Sequence, residues 1–232
     1  MEKIIYDIGA NNGDDLAYYL KKADVVVACE ADPNLCNFMG EKFQKEVADG
    51  RLIIENFVIS EGIESERVPF YRHLQANILN QFPEPSQDKI GEYEKIYLPA
   101  KTASSVIKKY GDPHYIKIDV EFYDQAILRD LFKNEIYPDY ISAESHNIEV
   151  FCILVALGNY NNFKLIDGQS MSDAYKNHLI KNNDGLIEKI TFPHHAAGPF
   201  GDDIKGEWLD QNNFINVLVS EKLGWKDIHA KK

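Results

Sequence analysis

This 232-residue sequence predicts a doubly wound α/β fold: a mostly parallel, seven-stranded sheet with an antiparallel C-terminal strand. Three observations carry that expectation. Short β-rich runs alternate with helix-period runs along most of the chain, which implies right-handed βαβ units. Residues 25–30 are almost wholly apolar, as a strand covered on both faces requires. A glycine-containing turn, Gly9 to Gly13, joins the first strand to the first helix, next to where such sheets hold their ligands. A single domain over 1–232 is long enough to bury a core without staples.

The elements follow in order. Residues 3–8 are β-like and run into the turn. Residues 14–22 read as a helix, with Leu16 and Leu20 four apart and lysines in the last turn. After the strand 25–30, Asp32-Pro33 is an N-cap with proline at the first helical position, and Leu35, Phe38, Met39 and Phe43 form the expected buried stripe. A third strand is expected over 51–60 and a short extra one over 68–72. Residues 81–94 carry Pro83 and Pro85 and read as a surface loop. A helix over 102–110 stops at Gly111. A fourth strand covers 115–120, and a helix over 123–133 turns Ile127, Leu128 and Leu131 inward. A fifth strand over 140–144 precedes the apolar helix 148–157, and a sixth covers 163–167. Residues 169–189 give no clear pattern. Residues 186–192 are a β candidate, and 214–221 read as the last strand, added antiparallel at the sheet edge.

Composition narrows the function. The formal net charge is −12 with no basic tail, which disfavours nucleic acid and anionic membranes and suits a neutral or cationic small molecule. The longest apolar stretch, 150–158, is too short to span a bilayer, and the N-terminus does not resemble a signal peptide. The three cysteines form no CxxC pair or ligand spacing, so neither a disulfide framework nor structural zinc is expected. A cytoplasmic setting is the expectation, no metal is assigned, and oligomeric state is not legible.

Ligands of such sheets bind beyond the carboxyl ends of the strands. The polar residues expected there are Asp7, Glu30, Asn56, Asp119 with Glu121, His146 and Asp167. Gly9 permits a tight turn, and Gly13 would let a ligand approach the backbone at the next helix. The spacing is GxxxG rather than the GxGxxG of many dinucleotide sites. Asp7 suits an ammonium group, which an amino-acid moiety carries and a pyrophosphate lacks. Glu30, at the end of the second strand, suits a ribose. By itself GxxxG is equally a tight βα turn; Glu30 has a solvated strand-end acid as its lesser alternative. Asp119, Glu121 and His146 are the candidate bases; Glu121 reads equally as a helix N-terminal charge, and His146 reads more readily as a strand-end histidine hydrogen-bonded to backbone than as a base. His194-His195 leads a glycine-containing loop that could cover the pocket. Trp208 and Trp225 read as packing residues.

With those residues in view, Tyr6–Asp14, Ala28–Pro33, Glu55–Ser60 and Tyr115–Glu121 resemble the ordered motifs of the FkbM-type methyltransferases, which are class I and Rossmann-like. The resemblance is clearest over residues 4–131. It implies S-adenosylmethionine as cofactor, with Asp7, Gly9, Ala10, Asn11 and Gly13 at its methionine part and Glu30 at its ribose. Ala31 and Asp32 would line the adenosine, Asn56, Phe57 and Val58 would flank the adenine, and Asp119 would sit near the transferable methyl. It implies O-methylation of a hydroxyl on a small molecule or glycan. The chain departs from the family at Phe122, where glycine is usual. An NAD-dependent oxidoreductase is disfavoured by the loop spacing and by Asp7. A domain that binds cofactor without catalysing is the other alternative, with Phe122 its one hint.

Overall fold

The structure, a computed structural model, describes residues 2–232. Its first strand, β1 (Ile4–Ile8), is buried at every position. The chain then passes into α1 (Leu16–Lys22), β2 (Val25–Glu30) and α2 (Pro33–Lys42). Asp32 caps α2 as its position predicts, accepting the Asn34 amide at 2.9 Å. Cys36, Met39 and Phe43 face inward, whereas Phe38, expected in that stripe, is exposed beneath the Lys42 ammonium. A short α3 (Gln44–Ala48) follows.

The single strand expected over 51–60 is two strands in two sheets. β3 (Leu52–Asn56) lies parallel to β2, while β4 (Val58–Ser60) turns away at Phe57. β4 joins β5 (Ser65–His73) and β6 (Tyr93–Thr102) in a small three-stranded sheet of order β4-β6-β5. β6 was not foreseen. Its polar alternate positions and Pro99 hide a strand whose Leu98 and Ala100 pack on Val58, Val68 and Phe70.

The expectations improve along the centre of the chain. α4 (Ala103–Tyr110) is capped by Thr102 and stops at Gly111. β7 (Pro113–Ile118), α5 (Asp124–Lys133), β8 (Tyr140–Glu144), α6 (Glu149–Ala156) and β9 (Asn162–Asp167) all fall close to their predicted places. Ile127, Leu128 and Leu131 are fully buried, as the helical spacing requires.

The C-terminal part corrects the sequence reading. After α7 (Gly168–Ala174), β10 (His178–Lys181) and β11 (Ile187–Ile190) form a separate hairpin. Residues 214–221 are not a strand but lie in α8 (Gln211–Glu221). The β-branched residues suggested β structure, but Phe214 and Leu218, one helical turn apart, are the buried pair, and Asp210 caps the helix through the Asn213 amide. The antiparallel strand is β12 (Lys226–Lys231), and it lies inside the sheet rather than at its edge.

The main sheet therefore has seven strands in the order β3-β2-β1-β7-β8-β12-β9, with only β12 antiparallel. Apolar residues of α4, α5, α6 and α8 cover one face, and those of α1, α2 and α7 the other. Strand order reverses between β1 and β7, so the carboxyl ends of those strands open onto the crevice where a ligand is expected. Among the described residues no helix is long and apolar enough to cross a membrane.

Candidate functional site

A cavity of about 510 Å³ opens at that reversal point, within the range usual for small-molecule sites. Its floor is the turn after β1. Gly9 and Ala10 both donate to the Cys29 carbonyl, which pins the turn to β2. Gly9 has φ +84°, and a Cβ there would stand 1.9 Å from the Asp119 carbonyl oxygen, so only glycine lets β1 and β7 come this close. Gly13 serves a different purpose from the one expected. It is not on the cavity wall; its missing side chain makes room for Leu16 and Met39.

Glu30 is nearly buried at the tip of β2. One carboxylate oxygen accepts the Asn11 amide at 2.8 Å and the other the Asp32 amide at 2.7 Å. Burial lifts its carboxyl to about 7, against those two amides, which favour the charged form. Each oxygen accepts one hydrogen bond, leaving acceptor capacity beside the cavity it lines. Phe57, Val58 and Ala31 supply apolar wall nearby. Asn56 and Asp32 stand behind that wall. Asn56 Nδ2 donates to the carbonyls of Glu30 and Ala31, and Asp32 is occupied in capping α2.

Asp7 also lies behind the wall. It was expected to receive an ammonium from a ligand, and instead faces the ammonium of Lys117, its register partner on β7, at 3.3 Å. The pair lacks a well-directed hydrogen bond, and burial raises the Asp7 carboxyl. Lys117 also donates to the Gly9 carbonyl at 3.1 Å and lies 3.2 Å from Asp119. Such a buried cation is costly unless its partners compensate it. Here it ties the β1 turn to β7. The alternation that placed Asp7 on one face of β1 placed Lys117 beside it, a signal available in the KIDVE run but missed.

Asp119, Glu121 and Glu144 line the cavity on the β7–β8 side. They bring one carboxylate oxygen each within 4.8 Å of one another. Burial, reinforced by Asp119 and Glu144, lifts Glu121 to about 8. His146 is not on the cavity wall. Its Nε2 is 2.8 Å from Glu144 and its ring stacks on Phe122, with centroids 4.4 Å apart. Phe122 itself is exposed and is not on the cavity wall, so it does not fill acceptor space. Its φ of +64° explains why glycine suits this position. Asp167, at the end of β9, pairs with Lys226 outside the cavity.

Two further parts of the wall were unforeseen, and the His194-His195 loop adds a third. The segment before and through the expected surface loop contributes Asn77, Asn80, Gln81 and Phe82. Asp15 receives the amides of Ala197 and Gly198, tethering the C-terminal loop to α1. That loop presents His195 to the cavity, next to Trp225. The His194-His195 pair thus does adjoin the pocket, but it stacks on Trp225 and joins no ligand cluster with Asp119, Glu121 or His146.

No curated protein matches this chain. Among solved structures it is similar to a methyltransferase FkbM from Methylobacillus flagellatus KT, with 14% identity, a TM-score of 0.49, and coverage of 71% of this chain and 39% of that one. The chain therefore spans well under half the length of that protein. A precorrin-6y C5,15-methyltransferase from Geobacter metallireducens GS-15 is similar over 100% of this chain and 82% of its own, with 11% identity and a TM-score of 0.44. An O-methyltransferase from Bacillus cereus, in complex with SAH, is similar over 100% of this chain and 74% of its own, with 9% identity and a TM-score of 0.43. The methyltransferase FkbM domain matches residues 7–151, more than half the sequence, taking in the end of β1 and all of β2, β3, β7 and β8. The chain belongs to the FkbM methyltransferase family.

Proposed function

We propose that this protein transfers a methyl group from S-adenosylmethionine to a hydroxyl of a small molecule or glycan. The observation that carries the reading is Glu30: a carboxylate fixed by two amides, at the end of the second strand, on the wall of a cavity of suitable size. Its remaining acceptor capacity suits a ribose diol. Phe57 and Val58 offer the apolar contact that a base needs, and Ala10 and Asn11 lie where the amino-acid end would rest. The cofactor supplies an activated methyl group on a cationic sulfur. Lys117 does not make the floor repulsive to that charge, because Asp7 and Asp119 compensate it.

The chain's own contribution to the chemistry is alignment and proton removal. Holding donor and acceptor in line accounts for much of the rate in a displacement of this kind. Glu121, lifted to about 8, is a stronger base than an ordinary carboxylate and takes the hydroxyl proton in its ionised form, which grows as pH rises toward 8; Asp119 is held in place beside it by Lys117. His146 acts on this wall through Glu144 rather than on the acceptor.

Calorimetry with S-adenosylhomocysteine and with NAD tests the cofactor. Binding of the first alone is expected; tight binding of NAD alone would overturn the reading. Glu30→Ala should weaken S-adenosylhomocysteine by about 1.5–3 kcal/mol, roughly ten- to 150-fold. Glu121→Gln should leave that affinity in place and lower labelled-methyl turnover by roughly 10²–10⁴. Unchanged turnover would remove Glu121 as the base.

A further inference from the structure

The family match ends at residue 151, yet His195 and Trp225 from beyond it line the cavity. Sheet order shows which side they occupy. β12 is antiparallel, so the residue before it lies at the same end as the residues following β7 and β8; Asp227 pairs with Glu144. Three strand steps separate β12 from β1, roughly 14 Å at about 4.8 Å per strand. Glu30 and Phe57 lie on the opposite side of β1. A nucleoside held at Glu30 leaves the β7–β8–β12 side for the acceptor.

Trp225 is held firmly there. Its carbonyl accepts the Gly168 amide at 3.0 Å, and a Cβ on Gly168 would come within 2.4 Å of the indole Nε1. The Gly224 amide donates to Ser145 at 3.2 Å, fixing the turn from the other side. The His195 ring stacks on the indole at 5.8 Å with planes 26° apart. Trp225 nevertheless remains 42% exposed. A rigid, wet aromatic face inside a ligand cavity is suited to a flat apolar surface. The charge on the same side sets a second condition. Asp119, Glu121 and Glu144 face the space, and the one lysine on the cavity wall is already engaged. An anionic acceptor would find no free lysine or arginine on the cavity wall to pair with.

Building on the methyltransferase reading above, we propose that Trp225, backed by His195, selects the methyl acceptor, and that this acceptor is a ring-bearing alcohol without negative charge. A saturated sugar ring and an aromatic ring share that chemistry. The test supplies labelled S-adenosylmethionine with a methyl pyranoside, catechol, the carboxylated counterpart of each, and glycerol. Label is expected on the pyranoside or on catechol, at least ~10-fold above its carboxylated counterpart and above glycerol. Which of the two is labelled identifies the kind of ring. Trp225→Ala should raise the acceptor KM by ~10-fold or more, with S-adenosylhomocysteine affinity within about twofold, and Trp225→Phe should recover most of the loss. The protein has two tryptophans, so a Trp208→Phe variant leaves Trp225 emission as a direct readout of acceptor binding.

Preferential methylation of glycerol or a carboxylated acceptor overturns the proposal, as does a panel in which no ring alcohol binds. An unchanged acceptor KM in Trp225→Ala, or a parallel loss of cofactor affinity, makes Trp225 a packing residue and overturns it too. Failure of the unaltered protein to bind S-adenosylhomocysteine would instead defeat the methyltransferase reading.

Discussion

At the scale of single residues, Gly9 and Glu30 do work that no neighbour can share. Gly9 meets two separate demands, a positive φ and a 1.9 Å approach by the Asp119 carbonyl to any added Cβ. Gly62 has a similar φ, +70°, with nothing within 4 Å, and so isolates the first demand. Gly62→Ala is expected to cost about 1 kcal/mol of stability, and Gly9→Ala clearly more, about 2–3 kcal/mol or beyond, because β1 and β7 must also separate. Thermal unfolding of the two variants makes the comparison. Equal losses would mean that the close approach carries no energy of its own. Phe122 shows the opposite case: a bulky residue accepts a left-handed φ, with its ring stacked on His146.

At the scale of elements, periodicity and propensity compete, and burial decides. In α8 the β-branched residues Ile215 and Val219 are exposed, while Phe214 and Leu218 dock on the sheet. Phe214 lies against Phe151 and Phe163, with ring centroids 5.6 and 5.3 Å away. Phe214→Ala should therefore cost about 3–5 kcal/mol, whereas Val219→Ala on the opposite face should stay within about 0.5 kcal/mol. Chemical denaturation distinguishes them, and similar small effects would mean that α8 is not part of the core. The excursion through β4, β5 and β6 follows the same logic. It is a minor sheet by size, but its connecting segment places Asn77, Gln81 and Phe82 on the cavity.

Across the whole molecule, the site concentrates buried acids in a chain already at −12. Burial raises the carboxyls of Glu30, Asp15 and Asp124 to about 7 and that of Glu121 to about 8. Burial opposes protonation of His146, but Glu144, Asp124 and Glu121 outweigh it and bring the imidazole to about 9. All five groups hold protons in the folded state that the unfolded chain has released, or is releasing, between pH 6.5 and 8.5. Stability should accordingly fall as pH rises through that window. The buried His229, lowered to about 3, works the other way, but chiefly below its ordinary value near 6.5, so it offsets little of the fall. Thermal midpoints at pH 6.5 and 8.5 test the sign; a higher midpoint at pH 8.5 would contradict it. Cofactor or acceptor binding that displaces protons from Glu30 or Glu121 would oppose this trend.

The sequence by itself determined the doubly wound class, the β1 turn, Glu30 at the tip of β2 and the Asp119–Glu121 pair. These depend on local order: an apolar run, a glycine spacing, and a polar residue directly after a strand. Tertiary structure decided everything that depends on pairing between distant segments. Asp7 looked like a ligand group until Lys117, 110 residues later, was brought opposite it by strand register. Gly13 looked open to a ligand until Met39 packed over it. Residues 51–60 read as one strand because their composition is continuous, and only separate partners, β2 and β6, divide them. Trp225 looked like packing until β12 entered the sheet antiparallel between β8 and β9 and set it at the cavity mouth. Local patterns determine which backbone each segment can adopt. Which side chains meet is determined by burial of two helix layers against one sheet, and that is a property of the whole chain.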